Sequence, residues 1–279
     1  MSESIAEKTA WALPNAKKAL NLSIKSWFVV ALCGQWAFAF YILTIYTLTA
    51  LYDLAVTDFS PSPNLKEATG HVLIIFFLHV LPAIYLSAFG ILQLIPKLRS
   101  AYPRFHRING RLFLLFGLTG ALTGLYLQWS KGWQTNTAAS LGITLNGLLI
   151  VVGALLAWRF AVQKRFDLHQ RAAIHTFFLV NGVWTFRLYL MGWYLVNQGP
   201  NGNTPNIDGP MDIFLSFACY LLPMLFAEMV FWAQKQQSEL KTWVCTFATA
   251  FGTLITLIGV IAAVMMMWSP RIVNLFNAV

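Results

Sequence analysis

The chain has 279 residues, of which 58% are hydrophobic and only 10% charged, and its mean hydropathy is +0.62. Soluble domains carry roughly 25% charged residues, so a pair of soluble domains of this combined length is excluded and a membrane bundle is the reading. Cys33, Cys219 and Cys245 all fall inside apolar runs and are odd in number, which excludes a disulfide framework and a Cys-based zinc site.

A hydrocarbon core of about 30 Å needs roughly 20 apolar residues in a helix. Seven runs meet that length: 27–51, 70–95, 110–128, 138–161, 173–196, 212–233 and 243–268. They are continuously apolar, without the alternation of barrel strands. The expected fold is all-α, a polytopic transmembrane bundle of about seven spans. Residues 1–26 are expected to form a cytoplasmic segment and 27–279 a single transmembrane domain.

In chain order, the leading segment holds Lys8, Lys17, Lys18 and Lys25, with Pro14 expected to interrupt any long helix, and it lacks the pattern of a signal peptide. The second run carries His71, His79 and Pro82. The third is entered through His106, Arg107 and Arg111 and contains Gly120 and Gly124, a small-xxx-small pair that suits helix packing. Asn146 lies in the fourth. The fifth is entered through His169, Arg171 and His175 and then carries Asn181 and Arg187. The stretch 197–210, rich in Gly, Pro and Asn, reads as irregular surface backbone. Pro223 and Glu228 belong to the sixth run. Trp129, Trp133, Trp193 and Trp268 fall near one set of span ends and Trp158 and Trp232 near the other, as in an interfacial belt.

Fifteen Lys and Arg residues fall on the N-terminal side of the alternating loops, against Lys66, Lys131 and Arg271 on the other. The positive-inside rule then puts the N-terminus in the cytoplasm and the C-terminus outside. The net charge of +9 is therefore a topology signal and not a nucleic-acid footprint. Membrane lipids are the expected partners, and a membrane-protein partner or a homo-oligomer stays open.

Ionisable residues at membrane depth cost about 2.5–3.5 kcal/mol on insertion scales, so each is a functional candidate. At 1.5 Å per residue, His79 and Arg187 both lie about 13 Å from the outer surface. Glu228 is too close to the inner end to match them. Two readings follow. His79, Arg187 and Asn181 form an intramembrane polar site open to water or to an anionic ligand group. Alternatively, Arg187 bonds backbone carbonyls and His79 is an interhelical hydrogen bonder.

The two basic helix entrances carry a resemblance. Residues 106–111 read His-Arg-Ile-Asn-Gly-Arg; His79, Gly90, Gln93 and Arg99 precede them, and His169 and the Thr-x-Arg-Leu of Thr185, Arg187 and Leu188 follow. In this combination the chain resembles the DUF2306 family of bacterial integral membrane proteins, which implies a place in the bacterial inner membrane and names no reaction. The departures follow His169: Gln170 stands for a usual Arg, Ala172 and Ala173 for a Trp-Met pair, and His175 for another Arg.

Histidines on membrane helices suggest b-type heme. Axial ligands must share a height, and His79 and His175 differ by nearly 20 Å along a helix axis (about 1.5 Å per residue). His106 with His169 or His175 is then the bis-His pair that remains, at the inner face. The preferred function is a redox-linked membrane protein whose site of His106, His169, His175, Arg107 and Arg111 binds heme b or a quinone. The alternatives are a small-molecule or proton-coupled transporter using His79, Arg187 and Asn181, and an assembly subunit of a membrane complex. Whether the protein is an enzyme is left open.

Overall fold

The structure, a computed structural model, describes residues 3–59, 70–130 and 137–279. Lys66, Lys131 and Trp133 of the charge and belt arguments lie outside the described residues. All regular structure among the described residues is helical. In chain order the elements are α1 (Glu3–Leu51), the short α2 (Val56–Phe59), α3 (His71–Phe89) with a 3-10 turn at Gly90–Leu94, and α4 (Pro96–Ala101). Then come α5 (Pro103–Trp129), α6 (Thr137–Val162), α7 (Phe166–Val180) and α8 (Gly182–Asn197). The chain closes with α9 (Pro210–Lys235), α10 (Glu239–Ala263), a π turn at Val264–Trp268 and α11 (Ser269–Phe276).

Among the described residues, six helical stretches are long and apolar enough to cross a membrane without interruption. They correspond to six of the seven expected runs. The fifth run, expected as one helix, is divided at Asn181 into α7 and α8, neither of which is long enough alone. At Asn181 the backbone leaves the helical basin (φ −87, ψ 8). Its side-chain amide donates to the carbonyl of Phe177 at 2.8 Å, competing with the backbone ladder as short amide side chains do. Counting α7 and α8 as one interrupted crossing keeps about seven spans.

Large apolar side chains face outward along these helices: Phe40, Phe247 and Phe251 are 59%, 68% and 62% exposed. In water such surface would drive association. In hydrocarbon its exposure costs little, and packing and polar contacts decide how helices meet. α1 packs between α3 and α10, and α5 between α3 and α6. The interrupted span changes neighbours at its break: α7 lies on α6 and α9, and α8 on α10 and α9.

Two expectations are corrected here. Pro14 does not interrupt a long helix, since α1 runs through it for 49 residues. A proline removes one helical hydrogen bond, and beyond it Leu20 is buried with Ala233 and Cys245, with Ile24 and Met229 packed against them. This packing holds the helix together past the proline. Trp268 is not an interfacial anchor. It is 2% exposed, stacked with Tyr41 at 6.2 Å between ring centres and tilted on Phe38 at 5.4 Å. Trp129, Trp158 and Trp232 do present about half of their surface outward, at 47%, 49% and 47%.

Candidate functional site

The end of α3 and the start of α5 form one joint. Gly90 is required by its neighbour: a Cβ there would lie 2.8 Å from the ring of Phe113. The 3-10 turn that follows brings the Gln93 side chain to Gly110, where a Cβ would stand 3.4 Å from Gln93 Oε1. Buried Asn109 closes the joint. It donates from Nδ2 to the Phe89 carbonyl at 2.9 Å and accepts from the Tyr85 hydroxyl at 2.7 Å. The Gly, Gln and His-Arg-x-x-Gly-Arg positions thus serve one helix junction, and it positions His106 at the mouth of α5.

His106 is half-buried, and Arg99 and His169 both act on it electrostatically. His169, at the mouth of α7, bonds through Nδ1 to the Ala157 carbonyl at 2.9 Å. With Nδ1 as the donor, the Nε2 lone pair is left free. Arg107 is exposed, and the Arg111 guanidinium lies 6.0 Å over the Trp158 ring.

His175 has a different partner. Its Nε2 is 2.5 Å from Glu228 Oε1, and Arg171 Nε donates to the same oxygen at 2.7 Å. A second contact runs from Arg171 Nη2 to Glu228 Oε2. Glu228 therefore ties α7 to α9 and engages His175 one turn beyond Arg171 on α7. Counting depth along each helix set Glu228 too near the inner end to match His79 and Arg187, and named no partner for it. That His175 and Glu228 both sit near the same end was a signal of pairing that went unused.

The midplane candidates have separate partners. His79 bonds through Nδ1 to the Gly120 carbonyl at 2.9 Å and the Thr123 hydroxyl at 3.2 Å. A Cβ on Gly124 would sit 2.8 Å from its ring, so Gly124 of the small-xxx-small pair makes room for this histidine. Asn181 Oδ1 accepts from Gln35 Nε2 at 2.7 Å, a residue of α1 that the sequence reading passed over although it is polar within an apolar run. Arg187 donates to the Val183 carbonyl at 3.1 Å and lies 5.4 Å over the Phe38 ring. His79 feels the Arg187 charge, but the two make no hydrogen bond to one another. Among the described residues, no group of three or more His, Cys, Asp or Glu gathers to hold a metal ion.

Helices of this length and surface, with polar groups drawn inward at a basic face and at a helix break, define an integral membrane protein. The chain belongs to the DUF2306 family, described as predicted membrane proteins, whose family model matches residues 76–231. That range spans more than half the chain and includes His79, the α3–α5 joint, both basic entrances, Arg187 and Glu228. It is the family to which the motifs pointed. No curated protein and no solved structure matches the chain.

Proposed function

We propose that this membrane protein is redox-linked and binds a quinone or a heme b at its basic face, between the mouths of α5 and α7. The observation that supports this reading is that His169 lies within electrostatic range of His106, across two helix entrances far apart in sequence. An imidazole whose Nδ1 is held by a backbone carbonyl presents Nε2 in a fixed direction, the arrangement that ligating histidines use. His169 has that hydrogen bond to Ala157. Arg99 beside His106, with Arg107 and Arg111 at the same entrance, suits a propionate or a quinone oxygen. Two imidazoles are the donor set that a b-type heme takes. The reading rests on His106 and His169 and not on His175, whose Nε2 is engaged by Glu228.

The test is a visible spectrum of the purified protein, oxidised and dithionite-reduced, with a solvent extract assayed for quinone. The expected result is a b-type spectrum or bound quinone, lost in His106→Ala and His169→Ala and kept in His175→Ala. A colourless, quinone-free wild-type protein refutes the reading.

A transport function is favoured by one observation, the interruption of a crossing helix at Asn181. Buried beside it, Gln35 Oε1 and Asn146 Oδ1 have no hydrogen-bond partner, and discontinuous helices are where many transporters bind substrate or coupling ions. In proteoliposomes loaded with a pH dye, this reading expects proton flux above that of empty vesicles, abolished in Asn181→Leu. Flux equal to the empty-vesicle rate counts against it.

A further inference from the structure

Away from the basic face, Arg187 lies over Phe38, Phe38 touches Trp268, and Arg271 follows Trp268 by three residues; neither arginine has a carboxylate partner among the described residues. Arg187 of α8 and Arg271 of α11 interact as like charges. A guanidinium has five N–H donors. Hydrogen bonds account for one carbonyl of its own helix in each case: Val183 at 3.1 Å for Arg187 and Met267 at 2.8 Å for Arg271. Neither forms an ion pair among the described residues.

Two further donors belong to the same aromatic cluster. The Tyr41 hydroxyl lies within electrostatic reach of both arginines. Tyr41 is 3% exposed and Trp268 2%, and neither the hydroxyl nor the indole N–H has a hydrogen-bond partner. Their rings stack on one another, and Phe38, which touches Trp268, also underlies the Arg187 guanidinium. The π turn at Val264–Trp268 delivers Trp268 to this cluster, and Arg271 follows within one turn. Such turns recur at functional sites. Buried N–H and O–H donors normally find acceptors, and like charges repel at this depth. An anionic acceptor would satisfy all four groups at once.

We propose that Arg187 and Arg271 bind an anionic group, a carboxylate or a phosphate, with the Tyr41 hydroxyl and the Trp268 indole N–H completing its hydrogen bonds. Phe38, beneath the Arg187 guanidinium, gives the site an apolar side suited to an amphipathic anion. Tyr41, Trp268 and Arg271 lie outside the family match at 76–231. The proposal is independent of the His106 and His169 reading and requires no movement of the anion across the membrane.

The test follows the thermal unfolding midpoint of the full-length protein in neutral detergent during titration with oleate, methyl oleate or inorganic phosphate. A ligand that binds the folded state raises the midpoint saturably. Oleate is expected to do so and methyl oleate not. Apparent affinity should fall about tenfold in Arg187→Gln and in Arg271→Gln, the loss of a charge-assisted contact, and about threefold in Tyr41→Phe. Lys241→Gln, at the basic face, should bind as wild type. Stabilisation by oleate alone assigns a lipid-type ligand, and stabilisation by phosphate alone assigns a free anion. Tyr41→Phe removes a single oxygen and keeps the test decisive if an arginine variant fails to fold. Unchanged affinity in the variants that fold, equal stabilisation by methyl oleate, or no stabilisation by either anion overturns the proposal.

Discussion

Replacing Gln35 and Asn181 by leucine, singly and together, measures what holds the broken helix in place. The two side chains share a 2.7 Å hydrogen bond at positions only 1% and 5% exposed. Leaving a buried polar group unpaired costs about 1–3 kcal/mol. Gln35→Leu orphans Asn181 Oδ1 but also removes Gln35 Oε1, which is already unpartnered, so its cost belongs near the lower limit, about 1 kcal/mol. Asn181→Leu leaves the whole Gln35 amide unpaired and removes the bond to the Phe177 carbonyl, so its cost belongs near about 2–3 kcal/mol. The double variant has no orphaned amide. It should be more stable than the sum of the single losses by about 0.6–1.7 kcal/mol, the range measured for polar pairs between membrane helices. Reversible unfolding in mixed micelles, titrated with SDS, gives all three values. Additivity within about 0.3–0.5 kcal/mol, or a larger loss for Gln35→Leu than for Asn181→Leu, would refute the argument.

Gly124→Ala should destabilise by about 1–3 kcal/mol through overpacking, because its Cβ would lie 2.8 Å from the His79 ring. Gly120→Ala, with nothing within 4 Å, should stay within about 0.5 kcal/mol in the same assay. At the α7–α9 contact, Arg171→Ala should have little effect, since the arginine side chain is 60% exposed and solvent screens its ion pair. Glu228→Ala should cost more, about 1.5–3 kcal/mol, because it also strips the acceptor from His175, 19% exposed. Equal losses for the two variants would show that the histidine contact contributes nothing. Topology is checked by reporter fusions: one after Val279 should read outside and one in the 97–111 loop inside, and cytoplasmic readout from both would overturn the orientation drawn from the basic residues.

The apolar runs were legible along the chain because hydrocarbon imposes one rule on every span, an internally hydrogen-bonded backbone beneath a continuous apolar surface. The family was legible for a related reason. Gly90, Gln93 and the residues at 106–111 build a local joint between consecutive helices, so their spacing records their contacts. Depth was also countable along each helix, at about 1.5 Å per residue.

What depth counting lacks is azimuth. These helices are apolar on nearly every side, so their sequences mark no inward stripe, and only packing decides which polar residue turns toward which neighbour. Packing joined His175 to Glu228 and Gln35 to Asn181, and it broke the fifth span at the second of these contacts. It also turned Trp268 from the expected belt into the core and brought Arg271 within electrostatic range of Arg187. Each of these pairs spans elements distant in the chain, and the side on which two helices meet is a property of the whole bundle.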